Sequence, residues 1–84
     1  MRPSSGVIAQ QLGESAVLIR LQTNRIYELN ETGTRIWELL GQGSTPKEIV
    51  DALQREFDEE SAALSNAVNE LITTLRLEGL VDAQ

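Results

Sequence analysis

The sequence contains no cysteine and no histidine. Without cysteine the chain can form no disulfide, zinc–thiolate site or thiol nucleophile, and its fold depends on no redox compartment. Without histidine it lacks the side chain that most often serves as a general acid or base near neutral pH. The reactive groups that remain are carboxylates, hydroxyls and one lysine, Lys47. We therefore expect no enzymatic activity, no bound metal and no other cofactor.

Aromatic residues and long apolar runs are also scarce, with one Trp, one Tyr and one Phe among 84 residues. The hydrophobic content of 40% is sufficient for one compact core. No apolar run approaches the roughly 20 residues that span a bilayer, and residues 1–6 do not resemble a signal peptide. We expect a cytoplasmic protein without a membrane partner, with a flexible segment at residues 1–6 and one domain at 7–84.

The first half of the chain predicts three short antiparallel strands. Val7 to Leu12 and residues 16–22 are extended candidates, separated by the turn-forming cluster at residues 13–15. A tight turn at Thr23 and Asn24, where Asn24 can adopt a positive φ, leads into a short third strand from Arg25 to Leu29.

Three amphipathic helices are predicted after these strands. Asn30 is a suitable N-cap for a helix that ends near Gly41, and Thr45 with Glu48 forms a capping box for the second. An acidic cluster at residues 58–60 is expected to cap a third helix of about 20 residues, which Gly79 ends. The order βββααα indicates an α+β winged helix-turn-helix. Gly33, inside the first helix, is expected to allow close approach to a neighbouring backbone; a direct ligand contact is the alternative.

The third strand is the strongest candidate for a binding site. It lies at the end of the predicted meander, so its outer edge has no neighbour and an extended peptide can add to it as another strand. Small side chains flank the apolar stripe of the third helix and favour a groove beside that strand. The predicted peptide-binding residues are therefore Arg25, Ile26, Tyr27, Glu28, Leu29, Ala67, Glu70, Leu71, Thr74 and Leu75.

Two other functions remain possible at this point. A winged helix-turn-helix of this size also suits a DNA-binding regulator, but the net charge is −6 and Arg76 is the only cation of the third helix. Because the release of phosphate counterions requires clustered Lys or Arg residues, we expect no nucleic-acid partner. Alternatively, the open strand serves self-association.

The chain resembles the PqqD-like proteins. The resemblance rests on Tyr27-Glu28-Leu29-Asn30, Thr32-Gly33, Ile36-Trp37-Glu38-Leu39-Leu40, Glu48-Ile49-Val50 and Leu75 with Gly79-Leu80-Val81. This family supplies the recognition element for ribosomally synthesised and post-translationally modified peptides (RiPPs), a winged helix-turn-helix that binds precursor leader segments. In length the chain looks most like the stand-alone lasso-peptide B1 proteins.

That resemblance implies a non-catalytic adaptor. Its expected partners are the leader region of a precursor peptide, a B2-type leader peptidase and an ATP-dependent cyclase, which carry out the chemistry of lasso-peptide biosynthesis. The leader is expected to pair with the strand from Arg25 to Leu29 and to place apolar side chains in the groove along the third helix.

Overall fold

A computed structural model describes residues 2–82 of the chain. Met1 and residues 83–84 lie outside the described part. The elements in chain order are β1 (Arg2–Pro3), β2 (Val7–Leu12), β3 (Ser15–Arg20), β4 (Arg25–Leu29), α1 (Glu31–Gly41), α2 (Pro46–Glu56), α3 (Ser61–Leu77) and β5 (Val81–Asp82). The predicted α+β fold, with three antiparallel strands followed by three helices, is confirmed.

The three-stranded sheet has the order β2-β3-β4, and both of its ladders are antiparallel. Asn24 adopts the predicted positive φ of 57°. The second predicted strand is too long at its C-terminal end, because the Asn24 N–H donates to the Arg20 carbonyl at 2.8 Å and closes the loop there. Residues 21 and 22 therefore belong to a four-residue connection between Arg20 and Arg25, whose Cα atoms are partners in the ladder.

The predicted starts of the first two helices are confirmed by their capping bonds. The Asn30 side chain accepts from the Gly33 N–H at 2.8 Å, and Thr45 and Glu48 form the reciprocal capping box. The prediction for α3 is only partly correct. Glu60 occupies its N-cap position but makes no side-chain capping bond, and the helix has 17 residues. Gly79, with φ of 72°, follows the end of the helix as predicted.

The hydrophobic core lies between the inner face of the sheet and the three helices. Because side chains alternate along a strand, β3 turns Ala16 and Leu18 inward while β4 turns Leu29 to the same side. The helices, β5 and the residue before β5 supply the rest of the core: Ile36, Leu39, Leu40, Ile49, Leu53, Leu64, Val68, Ile72, Leu75, Leu80 and Val81. The sheet packs on α1 through β3 and β4, and α3 packs on α1 and α2.

The ends of the described chain meet in a small second sheet. Arg2 pairs with Asp82 and Pro3 with Val81, and the Ser4 N–H donates to the Leu80 carbonyl at 2.9 Å. The strand β1 lies within residues 1–6, for which flexibility is predicted, and its pairing with β5 is not among the predicted strand pairings. It is a contact between chain ends that local sequence patterns do not encode.

An ion pair joins α1 to α2 and gives a prediction for acid stability. Arg35 Nε and Nη2 donate to the two Glu56 carboxylate oxygens at 2.8 and 2.9 Å, and this hydrogen bonding to Arg35 lowers the pKa of Glu56. The pair therefore stabilises the fold above the unfolded pKa of Glu, about 4.3, and its contribution is lost as the pH falls through the lower folded value. Because both side chains are partly exposed, we expect Arg35→Gln to cost about 0.5–1 kcal/mol at pH 7.

Urea denaturation at pH 7 and near pH 3 measures this difference. The Arg35→Gln penalty is expected to shrink as the pH falls, since protonation of Glu56 removes the carboxylate that accepts both bonds. Arg76→Gln, the same substitution at an exposed arginine of α3 that does not contribute to the lowered pKa of Glu56, is the matched control. An equal Arg35→Gln penalty at both pH values contradicts the assignment.

Candidate functional site

The strand β4 has an open edge. It pairs with β3 through the register Ala16↔Leu29 to Arg20↔Arg25, and no other described strand pairs with it. Arg25, Ile26 and Glu28 are exposed, Tyr27 is half-buried and Leu29 is buried. The outer edge of β4 therefore presents backbone hydrogen-bonding groups that no described strand pairs with.

The backbone groups on that edge can be assigned from the neighbouring loop. The Arg20 carbonyl accepts from Asn24 on the β4 side, whereas the Leu21 N–H donates to Gly6 on the β2 side. In an antiparallel ladder, opposed residues exchange hydrogen bonds in alternate pairs, so Arg20 and Arg25 form a bonded pair. It follows that Ile26 and Glu28 direct their N–H and C=O groups away from β3. The open edge thus offers two donors and two acceptors.

A groove of about 700 Å³ lies beside the end of this edge. Its lining comes from the end of β4, the first turns of α1, one face of α3 and the hairpin between β2 and β3. The lining residues are Leu12, Ser15, Ala16, Val17, Glu28, Leu29, Asn30, Thr32, Gly33, Ile36, Ala67, Glu70, Leu71 and Thr74. Neither lysine nor arginine is among them, so the groove combines aliphatic, hydroxyl and amide side chains with the two carboxylates of Glu28 and Glu70.

The structure brings together most of the residues predicted for the site. Six line the groove, two from β4 and four from one side of α3: Glu28, Leu29, Ala67, Glu70, Leu71 and Thr74. Arg25, Ile26 and Tyr27 continue along β4 outside the groove lining. The helix wall is thus one face of α3, and Leu71 lies where this face meets the face that packs in the core.

Leu75 is the exception among the predicted lining residues. It is buried in the core and does not line the groove. The reason is geometric, since Leu75 lies about 40° around the helix from Leu71, toward Leu64 and Val68. Leu75 therefore supports the helix wall from behind.

A polar bridge joins β4 to the end of α3. The Tyr27 hydroxyl donates to Glu78 Oε1 at 2.9 Å, and Arg25 Nη1 lies 3.5 Å from the same oxygen. Arg20 Nη1 donates to the Glu78 carbonyl at 3.0 Å. Partial burial and the hydrogen bond to Glu78 raise the pKa of Tyr27. This bridge fixes the open strand relative to the helix that forms the other wall.

The first turn of α1 closes the groove near Leu29. A Cβ atom on Gly33 would lie 3.2 Å from Asn30 Oδ1 and 3.5 Å from Leu29 Cβ. The close approach expected at Gly33 is therefore to side-chain atoms, not to a neighbouring backbone as predicted. Gly33 also lines the groove, at the point where the first turn of α1 meets Leu29.

The geometry contains no arrangement typical of a metal centre. Within residues 2–82, no group of three or more His, Cys, Asp or Glu residues is placed to hold a metal ion. None of the helices in this part of the chain is long and apolar enough to cross a membrane.

Comparison with known proteins places the chain in a family. The family model described as Coenzyme PQQ synthesis protein D (PqqD) matches residues 15–81. The chain belongs to the PqqD family. The PqqD-like RiPP recognition elements are non-catalytic binding adaptors, in agreement with the expectation that the chain is not an enzyme. No curated protein matches the chain.

Two solved structures share the fold over almost the whole chain. One is TbiB1 in complex with the TbiA(beta) leader peptide, with 30% identity, a TM-score of 0.91, and coverage of 100% of this chain and 98% of that chain. The other is a lasso peptide synthetase B1 complexed with the leader peptide, with 22% identity, a TM-score of 0.88, and coverage of 98% and 96%. The predicted resemblance to PqqD-like recognition elements of the lasso-peptide B1 type is confirmed.

Several groove residues of this PqqD-family chain were not predicted. They come from the β2–β3 hairpin and the start of α1: Leu12, Ser15, Ala16, Val17, Asn30, Thr32, Gly33 and Ile36. For Gly33 the sequence did give an indication, because a direct ligand contact is one of the two explanations for a glycine inside a helix. The hairpin residues carried no such signal, since their approach to α3 depends on how the sheet packs.

Proposed function

We propose that the chain binds the leader segment of a ribosomally synthesised precursor by strand addition along β4. The observation that carries the proposal is the open edge at Ile26 and Glu28 next to the groove along α3. The two structural relatives are bound to leader peptides, which supports the same class of ligand here. Residues 7–84 form the recognition domain in this proposal.

The energetics require both parts of the site. Four interstrand hydrogen bonds contribute about 2–6 kcal/mol in total at roughly 0.5–1.5 kcal/mol each. Ordering a disordered leader costs about as much, at roughly 2–5 kcal/mol or more. Apolar leader side chains buried in the groove must therefore supply the remaining affinity. Backbone pairing holds the leader in an extended form, and the groove selects its sequence.

The adaptor role follows from the same proposal. When the leader is bound, the rest of the precursor stays free. The chain then presents the precursor to a leader peptidase and an ATP-dependent cyclase of lasso-peptide biosynthesis. We place this step in the cytoplasm, where a ribosomally made precursor first becomes available. The catalytic steps belong to those partners.

The charge distribution disfavours the alternative of a DNA-binding regulator. Along α3, Arg76 is the only cation, and the groove-lining side of that helix carries Glu70. A protein that binds duplex DNA through counterion release needs several clustered cations. Titration with duplex DNA at low salt is therefore expected to show no binding.

Amide hydrogen exchange with a synthetic leader tests the proposed site. The leader is that of a candidate precursor sought among the open reading frames around the gene of this chain. Calorimetry is expected to show a 1:1 complex with a dissociation constant on the order of micromolar or below. The amides of Ile26 and Glu28 are expected to become protected on binding, because they face the open edge. The Ala9 and Gln11 amides on the opposite sheet edge are the internal control and should not change. Protection at β2, or at neither edge, contradicts strand addition to β4.

A further inference from the structure

An aliphatic stripe crosses the outer face of the sheet. Ile8, Ile19 and Ile26 are direct cross-strand partners in the two ladders, so the three side chains stand in one row. They lie on the face opposite Leu18, away from the core. Ile8 is 49% exposed and Ile26 is 64% exposed. We call this row the outer stripe.

The stripe meets the proposed peptide site at Ile26. This residue is the last member of the outer stripe and also directs its backbone N–H and C=O to the open edge. A strand added to β4 must place alternate side chains on the two sheet faces, whichever direction it runs. One set enters the groove beside Leu29 and Leu71. The residue opposite Ile26 lies on the outer face, where it becomes the fourth member of the row.

We propose, building on strand addition to β4, that Ile26 selects leaders with an apolar residue on the outer face of the bound strand. Cross-strand aliphatic pairs are favourable, and Ile26 still has apolar surface to bury. The outer stripe ends at the open edge, so any strand added to β4 lies directly against Ile26. The partner of the exposed Ile26 side chain is therefore the added peptide strand. The ligand class is therefore an extended peptide with two apolar residues three positions apart, one opposite Ile26 on the outer face and one opposite Leu29 beside the groove.

Parallel selections from a displayed library of random linear peptides test this inference. The baits are the wild-type chain, Ile26→Thr and the matched control Ile8→Thr. Threonine keeps β-branching and strand propensity but removes much of the apolar surface. Peptides enriched by the wild type are expected to carry two apolar residues three positions apart. Ile26→Thr should lose the preference at one of the two positions, whereas Ile8→Thr should keep both.

Calorimetry with the wild-type consensus peptide then measures the size of the effect. We expect Ile26→Thr to lower the affinity roughly fivefold to tenfold, and Ile8→Thr to change it less than about twofold. Unchanged selection by Ile26→Thr, or equal loss for both variants, overturns the role of Ile26 while peptide binding itself stands.

Two further outcomes separate the remaining explanations. If the wild type enriches no peptide, the proposed leader binding fails and this inference fails with it. If light scattering shows a wild-type dimer that both Ile8→Thr and Ile26→Thr convert to monomer, the outer stripe is a self-association face. That result also overturns peptide selection through Ile26.

Discussion

Replacing Ile26 with proline is expected to lower the affinity for a leader peptide about 30-fold to 100-fold, or roughly 2–3 kcal/mol. Proline removes the N–H that faces the open edge and puts ring atoms where the added strand would lie. The ladder to β3 should survive, because Ile26 is not one of the residues that exchange hydrogen bonds with β3. Calorimetry measures the loss, and circular dichroism checks that the fold is retained.

The opposite edge of the sheet supplies the matched control for this variant. Ala9 is exposed on β2. The alternation of hydrogen-bonded pairs between β2 and β3 directs the Ala9 N–H away from β3, just as the Ile26 N–H on β4 is directed away from β3. Ala9→Pro therefore removes an equivalent edge donor without altering β4. We expect unchanged leader affinity for Ala9→Pro. If it weakens binding as much as Ile26→Pro, or if folded Ile26→Pro binds normally, β4 is not the docking edge.

The strand side of the site could be predicted because it depends on local patterns. The alternating segments, the turn at Asn24 and the N-cap at Asn30 place a short strand between a loop and a helix. A strand at the end of a meander has one neighbour, so its open edge follows from chain order alone. The helix wall was also accessible from sequence, since the periodicity of α3 puts Ala67, Leu71 and Thr74 on neighbouring positions.

What the sequence could not show depends on contacts between distant segments. The Tyr27–Glu78 bridge joins residues that are far apart in the chain, and neither residue type alone indicates it. The hairpin wall of the groove and the pairing of Arg2 with Asp82 are of the same kind. Leu75 was assigned to the groove but lies in the core. An apolar stripe on a helix can line both a core and a groove, and only the packing of the helix shows where the core residues end and the groove residues begin.

The groove and the outer stripe give the two faces of an added strand different surroundings. In the proposed complex, the inner set of side chains lies beside Leu29, Leu71 and the acidic Glu70, whereas the outer set lies beside Ile26. Backbone pairing alone tolerates almost any extended peptide. Discrimination between leaders must therefore come from these side-chain contacts, and substitutions in the groove should alter binding without changing the edge.

Replacing Leu71 with glutamate is expected to weaken leader binding by about 30-fold or more. Leu71 is half-buried in the wall of the groove, and the preceding residue, Glu70, also lines it. The change removes apolar surface that the leader would cover and adds a carboxylate that binding must desolvate. Fluorescence anisotropy with a labelled leader measures the loss.

Leu77→Glu is the matched control, because it makes the same chemical change on the same helix at a residue that is 82% exposed and outside the groove lining. It should bind the leader as the wild type does.

Leu71 also packs against the core, so a second variant separates binding from folding. Thr74→Trp fills the groove from an exposed lining position and should reduce affinity while the unfolding free energy stays within about 1 kcal/mol of wild type. Normal binding by folded Leu71→Glu and Thr74→Trp shows that leader side chains do not enter this groove.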